Sequence, residues 1–114
     1  MNLNLRQLKN LYKDRTSLES EGGGPWHIEE KNQGFSFHFP TMQTNGGKVI
    51  IRHDDLESRI KVFLNGQLIT RMDGESPKII NVDNISISGE NIVRIENDGR
   101  PDYGTIYDVQ LIGE

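Results

Sequence analysis

The sequence predicts an all-β domain, an antiparallel sandwich or barrel of about eight strands with one short helix ahead of it. Three observations carry this. The chain of 114 residues holds 13 Ile and 5 Val but no Ala, so strand-favouring residues replace the best helix former. From Trp26 onward, apolar residues recur at period two. Turn signals built on Gly, Asn, Asp and Pro fall about every 8–12 residues, the spacing of a sandwich or barrel.

In chain order, residues 3–13 (LNLRQLKNLYK) place Leu5, Leu8 and Tyr12 at helical spacing, with Leu11 beside them. A helix of about three turns is marginal alone, so it needs a surface to dock on, either the body or a partner. Thr16 to Gly24 reads as a linker. The expected division is therefore a helical arm and linker over 1–24 and a β-sandwich domain over 25–114. In WHIEE, Trp26 and Ile28 alternate with His27 and Glu29; in FSFHF, Phe35, Phe37 and Phe39 alternate with Ser36 and His38. The intervening KNQG predicts a hairpin in which Ile28 faces Phe37, Trp26 faces Phe39 and His27 faces His38. Pro40 stops that strand.

KVIIRH (48–53) is mostly apolar and predicts a central strand. RIKVFL-NG-QLITRM is the clearest hairpin signal, because Asn65-Gly66 supplies the two positive-φ residues of a type I′ turn. It puts Val62 opposite Ile69 and Phe63 opposite Leu68. One face carries Ile60, Val62, Leu64 and Ile69. The other carries Phe63 and Leu68 among polar neighbours, so both faces are partly apolar near the turn. PKIINV (77–82) is a further strand. Ile85 and Ile87 are expected to face Val93 and Ile95 across a five-residue loop. TIYDVQLI (105–112) closes the domain, with Tyr107, Val109 and Leu111 on one face and Asp108 and Gln110 on the other.

The net charge of −4 is unevenly spread. Arg6, Lys9, Lys13 and Arg15 against Asp14 give residues 1–15 a charge of +3, which leaves −7 for the rest. An acidic body argues against nucleic acid as a partner. No apolar stretch approaches the ~18 residues of a membrane span, so no membrane partner is expected. MNLNLRQLKN lacks the apolar block of a signal peptide, which predicts cytoplasmic synthesis, with a virion as one destination. There is no Cys, hence no disulfide framework and no thiolate metal site.

The cadence of the central region is a strand ending in Leu64-Asn65-Gly66, a return strand, Asp73-Gly74, a strand, Gly89-Glu90-Asn91 and Val93-Arg94-Ile95. Together with the closing Ile106-Tyr107-Asp108-Val109, it resembles the galactose-binding-like jelly-roll domains over roughly residues 48–112. These occur as carbohydrate-binding modules and as the sugar-binding domain of β-galactosidase-type enzymes. The resemblance implies an antiparallel jelly-roll sandwich and a carbohydrate ligand. Some such modules place an early Glu and a late Asp on a structural calcium, for which Glu19 or Glu21 with Asp108 is the echo here.

Each candidate site has a chemical reading and a plainer one. His27 and His38, across a ladder with Glu29 nearby, could hold Zn²⁺ or Ni²⁺; otherwise they are solvated histidines. Sugar rings stack on exposed aromatics, so Trp26 and the loop residues Arg100, Asp102 and Tyr103 are the ligand-binding candidates. Trp26 and Tyr107 also read as core. The NDGRPDYG loop (97–104) is first a turn between strands, but it is longer than a tight hairpin requires. Asp54, Asp55 and Glu57 in HDDLES could take calcium or be a solvated loop. No cofactor is expected, calcium being the one ion for which these acids offer ligands.

No Cys nucleophile, G-x-S-x-G or H-E-x-x-H occurs, and nothing places a carboxylate pair in a cleft, so an enzyme is not expected. Two function classes remain. One is a non-catalytic module binding a glycan through loops or an exposed sheet face. The other is a virion structural protein (phage tail, baseplate or capsid decoration). It would join subunits, as a homo-oligomer or with a protein partner, through Leu5, Leu8, Tyr12, Phe63 and Leu68.

Overall fold

The structure is a computed structural model that describes residues 18–19, 24–99 and 104–114. Its strands are β1 (Leu18–Glu19), β2 (Trp26–Ile28), β3 (Gly34–Phe39), β4 (Gly47–Asp54), β5 (Ile60–Leu64), β6 (Gln67–Arg71), β7 (Lys78–Val82), β8 (Asn91–Asn97) and β9 (Gly104–Gly113). One antiparallel sheet runs β1-β9-β4-β7, with β2 also on β9; the other runs β3-β8-β5-β6. β1 meets Gln110 and Leu111 while β2 meets Gly104 to Ile106, so the two short strands follow one another along the same side of β9. They fill one strand position, so the described residues make a sandwich of eight, as the sequence predicts. The helix expected over 3–13, with Leu5, Leu8 and Tyr12, lies outside the described residues. The expected linker contains β1.

Period-two alternation buries one face of β3, β4, β5, β7 and β8. Val49 and Ile51 of β4, with Val109 and Leu111 of β9, meet Phe37, Phe39, Val62, Leu64, Val93 and Ile95 of the other sheet, all at or below 4% exposure. Met42, Leu56, Met72 and Ile85 plug the core from the connections. KVIIRH is central as expected, flanked by β7 and β9. Asn65 and Gly66 both have positive φ, as the type I′ turn requires.

Four expectations need correction. β2 and β3 are not a hairpin: β2 pairs with β9 and β3 with β8, in opposite sheets. KNQG is instead an arch over the sandwich edge. Gln33 Oε1 accepts from the Glu29 and Glu30 N–H groups, and Asn97 Nδ2 donates to the Glu30 carbonyl. Alternation shows that a face is buried, not which strand lies beside it. Ile28 and Phe37 do both face the core, but across it.

The second concerns the stretch around Ile85, which is not a strand. Ile85 is a buried plug, Ile87 is 52% exposed, and β8 pairs with β3 and β5. In the third, Val62 stands opposite Thr70 rather than Ile69, because a bulge shifts the ladder before the Phe63–Leu68 pair. Last, Tyr107 faces outward at 49% exposure. Arg52 pairs with Asp108 but His53 with Ile106, so Tyr107 is the extra residue of a bulge that resets the alternation.

Candidate functional site

The outer face of the four-stranded sheet carries a groove among the described residues. Register places Ser36, Arg94, Phe63 and Leu68 in one row crossing all four strands. His38 and Ile92 form the row on one side; Gly34, Glu96, Lys61 and Arg71 form the row on the other. A groove of about 450 Å³ lies here, lined by Phe63, Asn65, Gly66, Ile92, Arg94 and Glu96. Its volume falls in the range of small-ligand sites. Phe63 is half-buried and Leu68 47% exposed, so the second apolar patch expected from the hairpin exists.

Two devices shape the groove. Arg94 is held across the face, with Nη1 donating to Ser36 Oγ at 3.0 Å and Nε 3.6 Å from Glu96. Its guanidinium lies over Gly34, where a Cβ would come within 2.5 Å of Nη2. The end of the groove at Asn65-Gly66 is fixed by an asparagine cluster. Asn65 Oδ1 accepts from the Ile92 N–H, and Asn65 Nδ2 donates to Asn91 Oδ1 at 2.9 Å. Asn91, with no exposed surface, also accepts from the Ser86 N–H and donates to the Pro40 and Ser86 carbonyls. Asn65-Gly66 and Gly89-Glu90-Asn91, two separate turn signals of the sequence, therefore touch. Phe63 and Leu68 were readable from the hairpin. Ile92, Arg94 and Glu96 alternate with Val93 and Ile95, which places them on the outer face, but the sequence alone does not mark them as a site.

The remaining candidates lie apart. His27 is on β2, with Nδ1 3.2 Å from Thr105 Oγ1; His38 is on β3, with Nδ1 2.7 Å from Glu90 Oε1. They belong to different sheets, so the ladder pairing that suggested a metal site with Glu29 is absent. No group of three metal-ligating side chains gathers among the described residues. Trp26 packs edge-on against Phe37, with centroids 4.9 Å apart and planes at 85°, and borders a small hollow with Phe35, Ser36 and His38. Arg100, Asp102 and Tyr103 lie outside the described residues.

In the acidic loop, Leu56 is wholly buried between exposed Asp55 and Glu57, so the loop is used as a plug. Buried His53 holds it in place. His53 Nδ1 accepts from the Leu56 N–H at 3.2 Å, which puts the ring proton on Nε2, facing the Glu75 carbonyl at 2.5 Å. Asp54 Oδ2 accepts a 2.7 Å hydrogen bond from the Tyr107 hydroxyl.

No family model and no curated protein matches the sequence. Solved structures do. The CBM36-1 domain of a multidomain xylanase from the hindgut metagenome of Trinervitermes trinervoides is 10% identical, with a TM-score of 0.50 over 82% of this chain and 94% of that one. A carbohydrate-binding module CBM36 in complex with calcium and xylotriose is 11% identical, with a TM-score of 0.51 over 84% of this chain and 98% of that one. The chain thus has the jelly-roll β-sandwich fold of these modules.

Proposed function

We propose that the protein is a non-catalytic module that binds a glycan chain across the outer face of its four-stranded sheet. The observation that carries this reading is the groove, with an apolar floor and a polar border fixed in advance. Phe63 and Ile92 in the groove, with Leu68 beside Phe63 on the same face, offer C–H faces of a sugar a surface, while Arg94 and Glu96 offer hydroxyls partners. Arg94 is already oriented by Ser36 and Glu96, which lowers the cost of ordering it on binding. Four strands at about 4.8 Å spacing make the row roughly 14 Å long, which suits an extended chain. The fold likeness to carbohydrate-binding modules, one of them solved with xylotriose, supports a glycan over a protein partner.

The similar structure also holds calcium. In this chain Asp108, the late acid of the family echo, faces Arg52 Nε at 3.9 Å. No group of three metal-ligating side chains gathers among the described residues, Glu21 lies outside them, and the glycan reading draws nothing from the ion.

Isothermal titration with xylotriose and cellotetraose, backed by a glycan array, tests the reading. Binding should weaken about tenfold in Phe63→Ala, the loss of one aromatic contact. An array without a hit, together with an oligomer that dissociates in Phe63→Asp, would sink it in favour of a protein partner.

A further inference from the structure

Tyr107 is an aromatic side chain the core does not use. The bulge opposite Arg52 and His53 turns it to the outer face of the five-stranded sheet, on the opposite side of the molecule from the groove. It stays there half exposed, at 49%. Bulges often re-aim a side chain beside a functional site. The phenol is tied to Asp54 Oδ2 at 2.7 Å, which fixes the direction of the ring. That bond leaves the other Asp54 oxygen to meet a further donor.

The flanks are polar on both sides. His27, Thr105 and Asp54 make one row across β2, β9 and β4, with the His27 ring 3.2 Å from the Thr105 hydroxyl. Arg52 and Asp108 make the neighbouring pair, their Nε and Oδ2 atoms 3.9 Å apart. An oriented ring bordered by a carboxylate, a hydroxyl and a guanidinium is the chemistry that holds a sugar. The apolar C–H face lies on the ring, and the hydroxyls meet acceptors and donors around it.

We propose that this face carries a second saccharide site, with Tyr107 as the platform and Asp54, Thr105 and Arg52 as hydroxyl partners. The class of ligand rests on the glycan reading above; the place of the site rests on residues the groove does not share. With sites on opposite faces, one module would bridge two chains, and joint engagement would raise avidity without new contacts.

NMR titration of the full chain with xylotriose and cellotetraose separates the two sites. The backbone amides of Asp54, Thr105 and Tyr107 should shift on titration, and should still do so in Phe63→Ala. Affinity at this face should fall about tenfold in Tyr107→Ala and less in Tyr107→Phe, which keeps the ring and loses only its anchor. Unchanged shifts elsewhere would show that these variants remain folded. Shifts confined to the groove residues would overturn this proposal and leave the glycan reading intact. No shift on either face with either sugar would overturn both.

Discussion

Among the described residues, Asn91 ties together the most loop geometry. Its amide makes four hydrogen bonds in a site without solvent, to Ser86 twice, Pro40 and Asn65. Buried polar groups cost most when a partner is removed. Asn91→Ala should therefore destabilise the domain by about 2–4 kcal/mol, read from the midpoint of urea unfolding. A change below about 0.5 kcal/mol would mean that water replaces the amide without loss. The asparagine was legible as part of a G-x-N cadence; its partners were not, since they come from three separate connections.

Tyr107 gives a second test at this scale. Its hydrogen bond to Asp54, then burial and the charges of Asp54 and Asp55, raise the phenol above its usual 10.0. A folded value above the unfolded one stabilises the protein below pH 10, and this contribution is lost as pH rises through the folded value. Asp54→Asn should move the ultraviolet titration of Tyr107 back toward 10.0. An unmoved titration would mean that the bond seen here is not kept in solution.

Strands were easier to read than their neighbours. Local alternation marks β3 and β5 from sequence, because each buries one face and a period of two records that directly, while β4 is marked by its apolar run. Pairing is decided between distant segments, and nothing in KNQG distinguishes a hairpin from an arch tied down by Asn97. The same limit hid the Tyr107 bulge, which appears only when β9 is laid against β4. β4 and β9 also show how closely strands can constrain composition. Gly47 pairs with Gly113, and a Cβ on Gly47 would collide with the Ile112 carbonyl. Gly47→Ala should cost about 1–3 kcal/mol by overpacking, measured as a fall in Tm. Its φ is not in the left-handed region, so the cost is one of space and not of backbone conformation.

At the scale of the whole molecule, two carboxylates at one end of the sandwich give stability a dependence on acid. Asp98, just past β8, meets Lys61 of β5 at 2.7 Å and Arg71 of β6 at 3.6 Å, which ties three strands of one sheet together. Asp73 meets Lys78 at 2.8 Å across the connection from β6 to β7, one of the links between the sheets. Hydrogen bonding to Lys61 holds Asp98 below its ordinary 3.8, and hydrogen bonding to Lys78, then to the Glu75 N–H, does the same for Asp73. A depressed folded value contributes stability above the unfolded one, and the contribution is lost as pH falls through the folded one. Stability should therefore be level above about pH 5 with respect to these two groups and fall below pH 3.8. Both pairs are accessible to solvent, so added salt should shrink the effect. Asp98→Asn and Asp73→Asn together should flatten the acid limb of a Tm-against-pH curve, bringing variant and parent together at low pH. If the parent loses no more stability than the double variant between pH 5 and pH 3, these pairs do not fasten the sandwich, and acid unfolding starts elsewhere.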